Sequence, residues 1–103
     1  MKYYIKVENG DRYETEYSDL KSALESLLEY QKEGWKGLII EDENYNEYDT
    51  NDVITEVFFD MLAEKKSFEE IQKETGLLKV EEDESQTVLT LYYPNGEIIS
   101  HWV

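Results

Sequence analysis

The spacing of apolar residues changes from period two to helical spacing and back along this chain, which limits it to a mixed α and β fold. Near the N-terminus, Tyr3, Ile5 and Val7 alternate with polar residues, as in a half-buried strand. ENGD follows, and its Asn9-Gly10 pair favours a hairpin turn because both residues tolerate positive φ. The next segment, RYETEY, predicts a strand that returns along the first.

Three later segments are predicted to be helical. SDLKSALESLLEYQKEG predicts a helix that Ser18 or Asp19 caps, and TNDVITEVFFDMLAEKK predicts a second that Thr50 or Asn51 caps. SFEEIQKETG predicts a third, whose capping box opens at Ser67. The residues at helical spacing in the first two helices are Leu20, Ala23, Leu24, Leu27, Leu28, Gln31, Val53, Ile54, Val57, Phe58, Met61 and Leu62.

The remaining segments predict strands. WKGLIIEDE predicts one after the first helix, and LLKVEED, QTVLTLYY and IISHWV predict three more at the C-terminal end. The predicted order is ββαβααβββ. Because strands group at both ends of the chain, we expect one α+β domain over residues 1–103, an antiparallel-rich sheet with helices packed on one face. Exposed strand edges in the C-terminal hairpins would permit a homodimer by sheet extension.

The charge of the chain narrows its function. It has 25 acidic and 10 basic residues and a net charge of −15. Such a chain repels nucleic acid and anionic membranes, and it attracts basic surfaces such as nucleic-acid-binding grooves. A hydrophobic content of 40% predicts a folded protein rather than a disordered acidic tail. With no cysteine and no apolar run of signal-peptide or membrane-spanning length, we expect a soluble, cytoplasmic protein.

The acidic residues concentrate in three clusters, which lie on the N-terminal hairpin, in the acidic stretch Glu41–Asp52 and in a late turn. Their members are Glu8, Asp11, Glu14, Glu16 and Asp19 in the first, Glu41, Asp42, Glu43, Glu47, Asp49 and Asp52 in the second, and Glu81, Glu82, Asp83 and Glu84 in the third. Alternate strand residues lie ~6.6 Å apart, close to two axial steps of a DNA strand at ~3.4 Å per phosphate. Glu14 and Glu16 have this spacing on their predicted strand, and Glu41 and Glu43 have it if the strand before them extends that far.

Two tyrosines support a binding role for the acidic stretch. Tyr45 and Tyr48 lie inside it, where core packing does not obviously require them, and tyrosine is enriched at interfaces. We therefore predict that the acidic stretch contacts a partner through its carboxylates, with both tyrosines as anchors. Glu14, Glu16 and the late turn are predicted as further contacts. The alternative is a run of charge that is simply solvated.

Other kinds of site receive little support. If Asp42 opens an EF-hand-like loop, Glu47 stands where the invariant glycine belongs and Val53 where the bidentate glutamate belongs. SFEEIQKETGL resembles the start of a helix-turn-helix domain, but four consecutive carboxylates follow where a recognition helix would meet phosphates. His101 is the only histidine, and nothing indicates the set of nucleophile, base and orienting group that nucleophilic catalysis needs. The sequence predicts no catalytic residue, metal, cofactor or direct nucleic-acid binding.

By its length, charge and tyrosine-rich acidic clusters, the chain resembles the small proteins with which phages and mobile elements disarm host nucleases, the anti-CRISPR and anti-restriction DNA mimics. The resemblance is one of class, rests on no family motif and transfers no residue. It implies a stoichiometric inhibitor in the bacterial host cytoplasm that occupies the nucleic-acid groove of an RNA-guided nuclease or restriction enzyme. The alternatives are an immunity protein against a basic toxin nuclease and a non-catalytic accessory or regulatory protein of a mobile element.

Overall fold

The computed structural model describes all 103 residues as an α+β fold, which confirms the predicted class. The elements are β1 (Tyr3–Val7), α1 (Leu20–Lys32), β2 (Leu38–Asp42), β3 (Glu47–Tyr48), α2 (Thr50–Ala63), α3 (Phe68–Thr75), β4 (Lys79–Glu82), β5 (Val88–Tyr92) and β6 (Ile98–Trp102). The strands form two separate antiparallel sheets, ordered β1-β2-β3 and β4-β5-β6. None of the helices combines the length and apolar character needed to cross a membrane.

The strand predicted for residues 12–17 does not form. This segment makes only two isolated bridges with β1, one between Lys6 and Arg12 and the other between Tyr3 and Tyr17. The two bridges lie five residue steps apart on this segment but only three apart on β1. The segment must therefore bulge between them, and a continuous ladder of hydrogen bonds is lost.

The first of two compact units, Met1–Val57, packs α1 against the sheet of β1 and β2. Helix α1 begins where a side-chain oxygen of Asp19 accepts a 2.7 Å hydrogen bond from the amide of Ser22, so Asp19 is its cap. The buried apolar residues of this unit come from the sheet, from α1 and from the first part of α2. They are Ile5, Ala23, Leu24, Leu27, Leu38, Ile40, Val53, Ile54 and Val57.

The register between β1 and β2 decides which side chains share a face of this sheet. Ile5 lies opposite Ile40, and both are fully buried. Tyr4 lies opposite Glu41, and because successive residues alternate between faces, Tyr4, Lys6 and Glu41 share the face opposite to that of Ile5. The acidic stretch therefore begins on the polar face of the sheet.

The second unit, Phe58–Val103, contains the end of α2, α3 and the sheet β4-β5-β6. The hydroxyl of Ser67 accepts a 3.2 Å hydrogen bond from the amide of Glu70, and Gly76 ends α3 with a left-handed φ of 77°. The predicted start and end of this helix are thus confirmed. The buried apolar residues of the unit are Phe58, Met61, Ile71, Leu77, Leu89, Leu91 and Tyr93.

Helix α2, within which the two units divide, differs from its prediction at both ends. Asp49 accepts a 2.8 Å hydrogen bond from the amide of Asn51, so Asp49 caps the helix instead of Thr50 or Asn51. At the other end, Lys65 has a left-handed φ of 64°, and its amide bonds back to the last turn. The helix therefore stops at Ala63, short of the predicted lysines.

The first prediction concerns two adjacent leucines of α1. Leu27 is fully buried, whereas Leu28 is only half-buried. We expect Leu27→Ala to lower the free energy of unfolding by about 2–5 kcal/mol, because it leaves a cavity in the core, and Leu28→Ala to lower it by less than about 2 kcal/mol. Urea denaturation followed by circular dichroism measures both, and equal losses would contradict this packing.

Candidate functional site

The acidic stretch Glu41–Asp52 is not one loop. Glu41 and Asp42 end β2, Glu47 belongs to β3, and Asp52 lies in the first turn of α2. β3 pairs with β2 over two residues, so part of the acidic stretch forms the third strand of the sheet. The carboxylates are consequently held on different pieces of backbone, and each has its own surroundings.

Glu41 is buried and paired with two cations. Only 5% of the residue is exposed. Its Oε1 accepts hydrogen bonds from Arg12 Nε at 2.9 Å and from Arg12 Nη2, and its Oε2 lies 3.3 Å from Lys6 Nζ. Burial alone raises the pKa of a carboxyl, but the hydrogen bonds from Arg12 and Lys6 outweigh it and hold the pKa of Glu41 below its ordinary value. Glu41 is therefore a charged structural group that a partner does not reach from outside.

Arg12, the only arginine of the chain, is held by aromatic rings as well as by Glu41. Its guanidinium carbon lies 4.2 Å from the ring centroid of Tyr4 and 4.5 Å from that of Tyr45, and Nη2 donates to the carbonyl of Asp42 at 3.2 Å. Tyr45 is 74% exposed and has a left-handed φ of 67°. Tyr45 thus covers Arg12 on one side and offers its remaining surface to solvent.

Asp42, only 1% exposed, builds the turn after β2. It accepts hydrogen bonds from the amides of Asn44 and Asn46 at 2.9 and 3.0 Å, from the side-chain amide of Asn46 at 3.1 Å and from the hydroxyl of Tyr48 at 3.0 Å. Burial opposes ionisation, but these donors keep the pKa of Asp42 below its ordinary value. Burial and the bond to Asp42 raise the pKa of Tyr48 to about 12.

Tyr48 is consequently part of the scaffold rather than a free anchor. Its hydroxyl is committed to Asp42, and its ring packs edge-on against Tyr3 with 5.9 Å between centroids. Tyr45 alone of the two predicted anchors is largely exposed. The carboxylate that an EF-hand would use as its first ligand is likewise occupied by protein donors, and the chain has no group of three or more His, Cys, Asp or Glu residues placed to hold a metal ion.

The other four carboxylates of the acidic stretch are exposed. Glu43 accepts a 3.1 Å hydrogen bond from a backbone amide of the N-terminal segment, and Glu47 lies 2.7 Å from Lys6 Nζ. Asp49 caps α2, whereas Asp52 makes no ion pair. The stretch therefore offers a partner fewer free charges than its sequence indicates.

The carboxylate rows predicted on extended strands are absent. Glu14 and Glu16 are exposed, but their segment is not a strand, so strand spacing does not apply to them. Glu16 lies 3.3 Å from Lys2 instead. Glu41 is buried, whereas Glu43 follows the end of β2 and faces solvent, so these two do not form a row either.

In the late turn, Asp83 organises the backbone between β4 and β5. It accepts hydrogen bonds from the hydroxyl of Ser85 at 2.6 Å and from the amides of Thr87 and Val88 at 2.8 and 3.0 Å. Led by Ser85, these donors lower the pKa of Asp83 to about 2. The carboxylate is therefore the hydrogen-bonded centre of the turn.

The remaining carboxylates of the late turn, Glu81, Glu82 and Glu84, are all exposed. Glu81 lies 2.6 Å from Lys79 Nζ, and that bond lowers the pKa of Glu81. Exposed pairs of this kind contribute little to stability. The late turn is thus a small, partly neutralised acidic cluster.

A row of carboxylates on α2 was missed by the sequence analysis, although its spacing is visible there. Asp52, Glu56, Asp60 and Glu64 follow one another at four-residue intervals, and all four are exposed. None makes an ion pair, and no Lys or Arg occurs from Asp49 to Glu64. Asp52, Glu56 and Asp60 lie in one helix, and the amide of Glu64, the residue after that helix, still bonds to the carbonyl of Asp60 at 3.2 Å, so members of the α2 row are about 6 Å apart along the axis.

The α2 row opposes the stability of its own helix. Like charges at i, i+4 destabilise a helix by roughly 0.2–0.5 kcal/mol per pair. Helix α2 also lacks a basic residue in its last turn, where a cation would favour the helix dipole. Lys65 and Lys66 follow only after the helix has ended. The row is therefore a feature that folding alone does not favour.

Comparison of the chain with protein-family models, with curated proteins and with solved structures finds no match. The candidate site is therefore defined only by the charged residues of this chain. Its central feature is the α2 row, and Asp49 and the exposed carboxylates of the acidic stretch precede that row along the chain.

The second prediction distinguishes a buried carboxylate that stabilises the fold from a carboxylate that is exposed to solvent. Glu41→Gln and Glu43→Gln remove the same charge, but only Glu41 is buried against Arg12. We expect Glu41→Gln to lower the free energy of unfolding by about 1–3 kcal/mol and Glu43→Gln to change it by less than about 0.5 kcal/mol. Thermal and urea unfolding test this difference, and a Glu41→Gln protein as stable as Glu43→Gln would refute the assigned role.

The third prediction concerns acid. Because Asp83 has a pKa of about 2 instead of 3.8, it contributes stability that is complete above the ordinary value and is lost as the pH falls toward 2. Carbon-13 NMR of the side-chain carboxyl should give a midpoint near 2 for Asp83. Ser85→Ala removes a donor and should move the midpoint upward. A wild-type midpoint at the ordinary value would show that the turn is not organised this way.

Proposed function

We propose that the protein is a stoichiometric inhibitor that occupies a basic nucleic-acid-binding groove of a host nuclease, and that the α2 row is its principal contact. The observation that carries the proposal is the set of Asp52, Glu56, Asp60 and Glu64, which are exposed and make no ion pair along α2 and at its C-terminal end. Carboxylates in such a row can pair with the Lys and Arg residues of a groove that normally bind phosphates.

The spacing of the α2 row supports this role. Successive members are about 6 Å apart along the helix axis, and the row extends over about 18 Å. Phosphates of one DNA strand advance ~3.4 Å each along the duplex axis, so two steps amount to about 7 Å. A helix also keeps its side chains on a rigid element, which limits the ordering that binding requires.

The absence of ion pairs in the α2 row also supports its role as the contact. Some exposed acids elsewhere are paired with cations, as in the pairs Glu16–Lys2, Glu29–Lys32 and Glu81–Lys79. The members of the α2 row make no ion pair, and they repel one another. A cationic groove would relieve that repulsion on binding, so these charges stabilise a complex although they destabilise the free protein.

The proposed contact is therefore centred on the α2 row, and only part of the acidic stretch belongs to it. Asp49 and Asp52 stay in it, because both are exposed at the start of α2. Tyr45, exposed beside Arg12, remains the candidate aromatic anchor. Glu41 and Asp42 hold the scaffold instead, and their neutralisation would disturb the fold rather than the contact alone.

The fourth prediction tests the α2 row by neutralisation. The quadruple variant Asp52→Asn, Glu56→Gln, Asp60→Asn and Glu64→Gln keeps side-chain size and removes four charges. The control, Glu25→Gln, Glu29→Gln, Glu33→Gln and Glu69→Gln, removes four exposed charges from other elements. Both variants are first shown to be folded by circular dichroism.

The readout is displacement of a fluorescent DNA duplex from a panel of RNA-guided nucleases, restriction enzymes and basic toxin nucleases. We expect the wild type to displace the duplex from one class of the panel, with an affinity that falls as salt rises. The α2 variant should lose at least about tenfold in affinity, equivalent to about 1.4 kcal/mol, and the control much less. Equal losses would assign binding to net charge alone, and a toxin nuclease as the only target would favour an immunity protein.

A further inference from the structure

We propose that β6 pairs with β6 of a second copy of this chain, so that two sheets join into one antiparallel sheet of a symmetric dimer. β6 is an edge strand, since the sheet order is β4-β5-β6. It is also the most apolar exposed part of the chain. Ile98 is 61% exposed, Ile99 38%, Trp102 83% and the following Val103 57%.

The free edge of β6 presents the backbone groups of alternate residues. At one end of the strand the amide of Val103 donates to the carbonyl of Thr87, and at the other the carbonyl of Glu97 accepts from the amide of Tyr93. Odd-numbered residues therefore face β5. In an antiparallel strand, the backbone amide and carbonyl of successive residues point to opposite sides. The amides and carbonyls of Ile98, Ser100 and Trp102 therefore point away from β5.

The edge of β6 lacks the features that usually prevent strand addition. Residues 98–103 contain no Lys, Arg, Asp, Glu or Pro. The opposite edge strand, β4, carries Lys79, Glu81 and Glu82, which protect it. In the first sheet, β3 has only two residues and β1 is bridged by residues 12–17. β6 is thus the one long, uncharged and open edge of the protein.

The charge of the chain favours a second copy at this edge. Two chains of net charge −15 repel each other, and the uncharged β6 is where they approach with least repulsion. The strand is also complementary to itself. An antiparallel pairing with Ser100 opposite Ser100 overlaps all five residues of both strands and places each Ile98 opposite Trp102 of the second copy.

The area available is sufficient for a dimer. The exposed apolar surface of Ile98, Ile99, Trp102 and Val103 is roughly 500 Å² per copy, given that a large aromatic side chain contributes up to ~250 Å². Complete burial of this surface in both copies would amount to about 1,000 Å², which is the lower limit for a specific interface. The two-fold pairing uses both β6 edges and leaves only the charged β4 strands at the ends, so assembly stops at two copies.

The fifth prediction is that the chain dimerises, and sedimentation equilibrium of the full chain over a range of protein and salt concentrations tests it. We expect the mass to rise from 12.3 kDa toward twice that value, and dimerisation to strengthen in 0.5 M NaCl because salt screens the repulsion. The inhibitor contact should instead weaken with salt, so the failure of one proposal is distinguishable from the failure of the other.

Two variants test the edge itself, and a third is their control. Ser100→Pro removes an outward amide and keeps the backbone hydrogen bonds to β5, although it loses the 2.9 Å bond between the hydroxyls of Ser100 and Thr90. Ile98→Lys keeps that bond and places a charge in the pairing face. Each should raise the dissociation constant of the dimer at least tenfold. Leu78→Lys, at a residue that is 65% exposed before β4, is the matched control and should leave it unchanged. If Ser100→Pro unfolds the protein, Ile98→Lys decides.

Hydrogen exchange gives a residue-level readout. The amides of Ile98, Ser100 and Trp102 should become protected as the concentration rises, whereas those of Ile99 and His101 should be protected throughout. A wild type that stays monomeric at 0.5 mM in 0.5 M NaCl would overturn the proposal. So would β6 variants that dimerise like the wild type, or a Leu78→Lys variant that loses dimerisation equally.

Discussion

The first unit depends on the neutralisation of one buried carboxylate. Glu41 lies on the polar face of the β1-β2-β3 sheet with 5% exposure, and an unpaired charge there would cost several kcal/mol. Arg12 neutralises it, helped by Lys6, and its planar guanidinium also stacks on Tyr4 and Tyr45. One contact thus attaches the irregular segment after β1 to the sheet and positions the turn after β2.

The carboxylates consequently serve two different purposes. Those of Glu41, Asp42 and Asp83 accept several hydrogen bonds, have lowered pKa values and define local backbone structure. Those of the α2 row have no such bonds and weaken their helix. Net charge alone does not distinguish these groups, whereas their partners do. Four of the nine exposed large hydrophobic residues lie in β6 or directly after it, away in sequence from the densest acidic segment. The α2 row and this apolar strand are separate elements, which allows different contacts for each.

Much of the secondary structure could be predicted because its signals are local. Helical spacing, the caps Asp19 and Ser67 and the stop at Gly76 all act within a few residues. The strand predicted for residues 12–17 is wrong because the alternation of apolar and polar residues is a local signal. Whether the segment forms a continuous ladder depends on its register with β1, and the two bridges have different offsets. The candidate site was misplaced for a related reason. The density of acid in the acidic stretch is obvious, but whether a carboxylate is free depends on cations far along the chain. The α2 row could have been found from its four-residue spacing within a predicted helix.

The sequence by itself determined the α+β class, the helices and most of the strands, the large negative charge and the uncharged C-terminal strand, because composition and short-range periodicity are sufficient for each. Only the tertiary structure decided that the strands form two sheets, that Glu41 and Asp42 are buried while Glu43 is exposed, and that β6 is an open edge. The physical reason is that burial and pairing are long-range properties. Arg12 reaches Glu41 across 29 residues of sequence, and neither residue alone indicates the other.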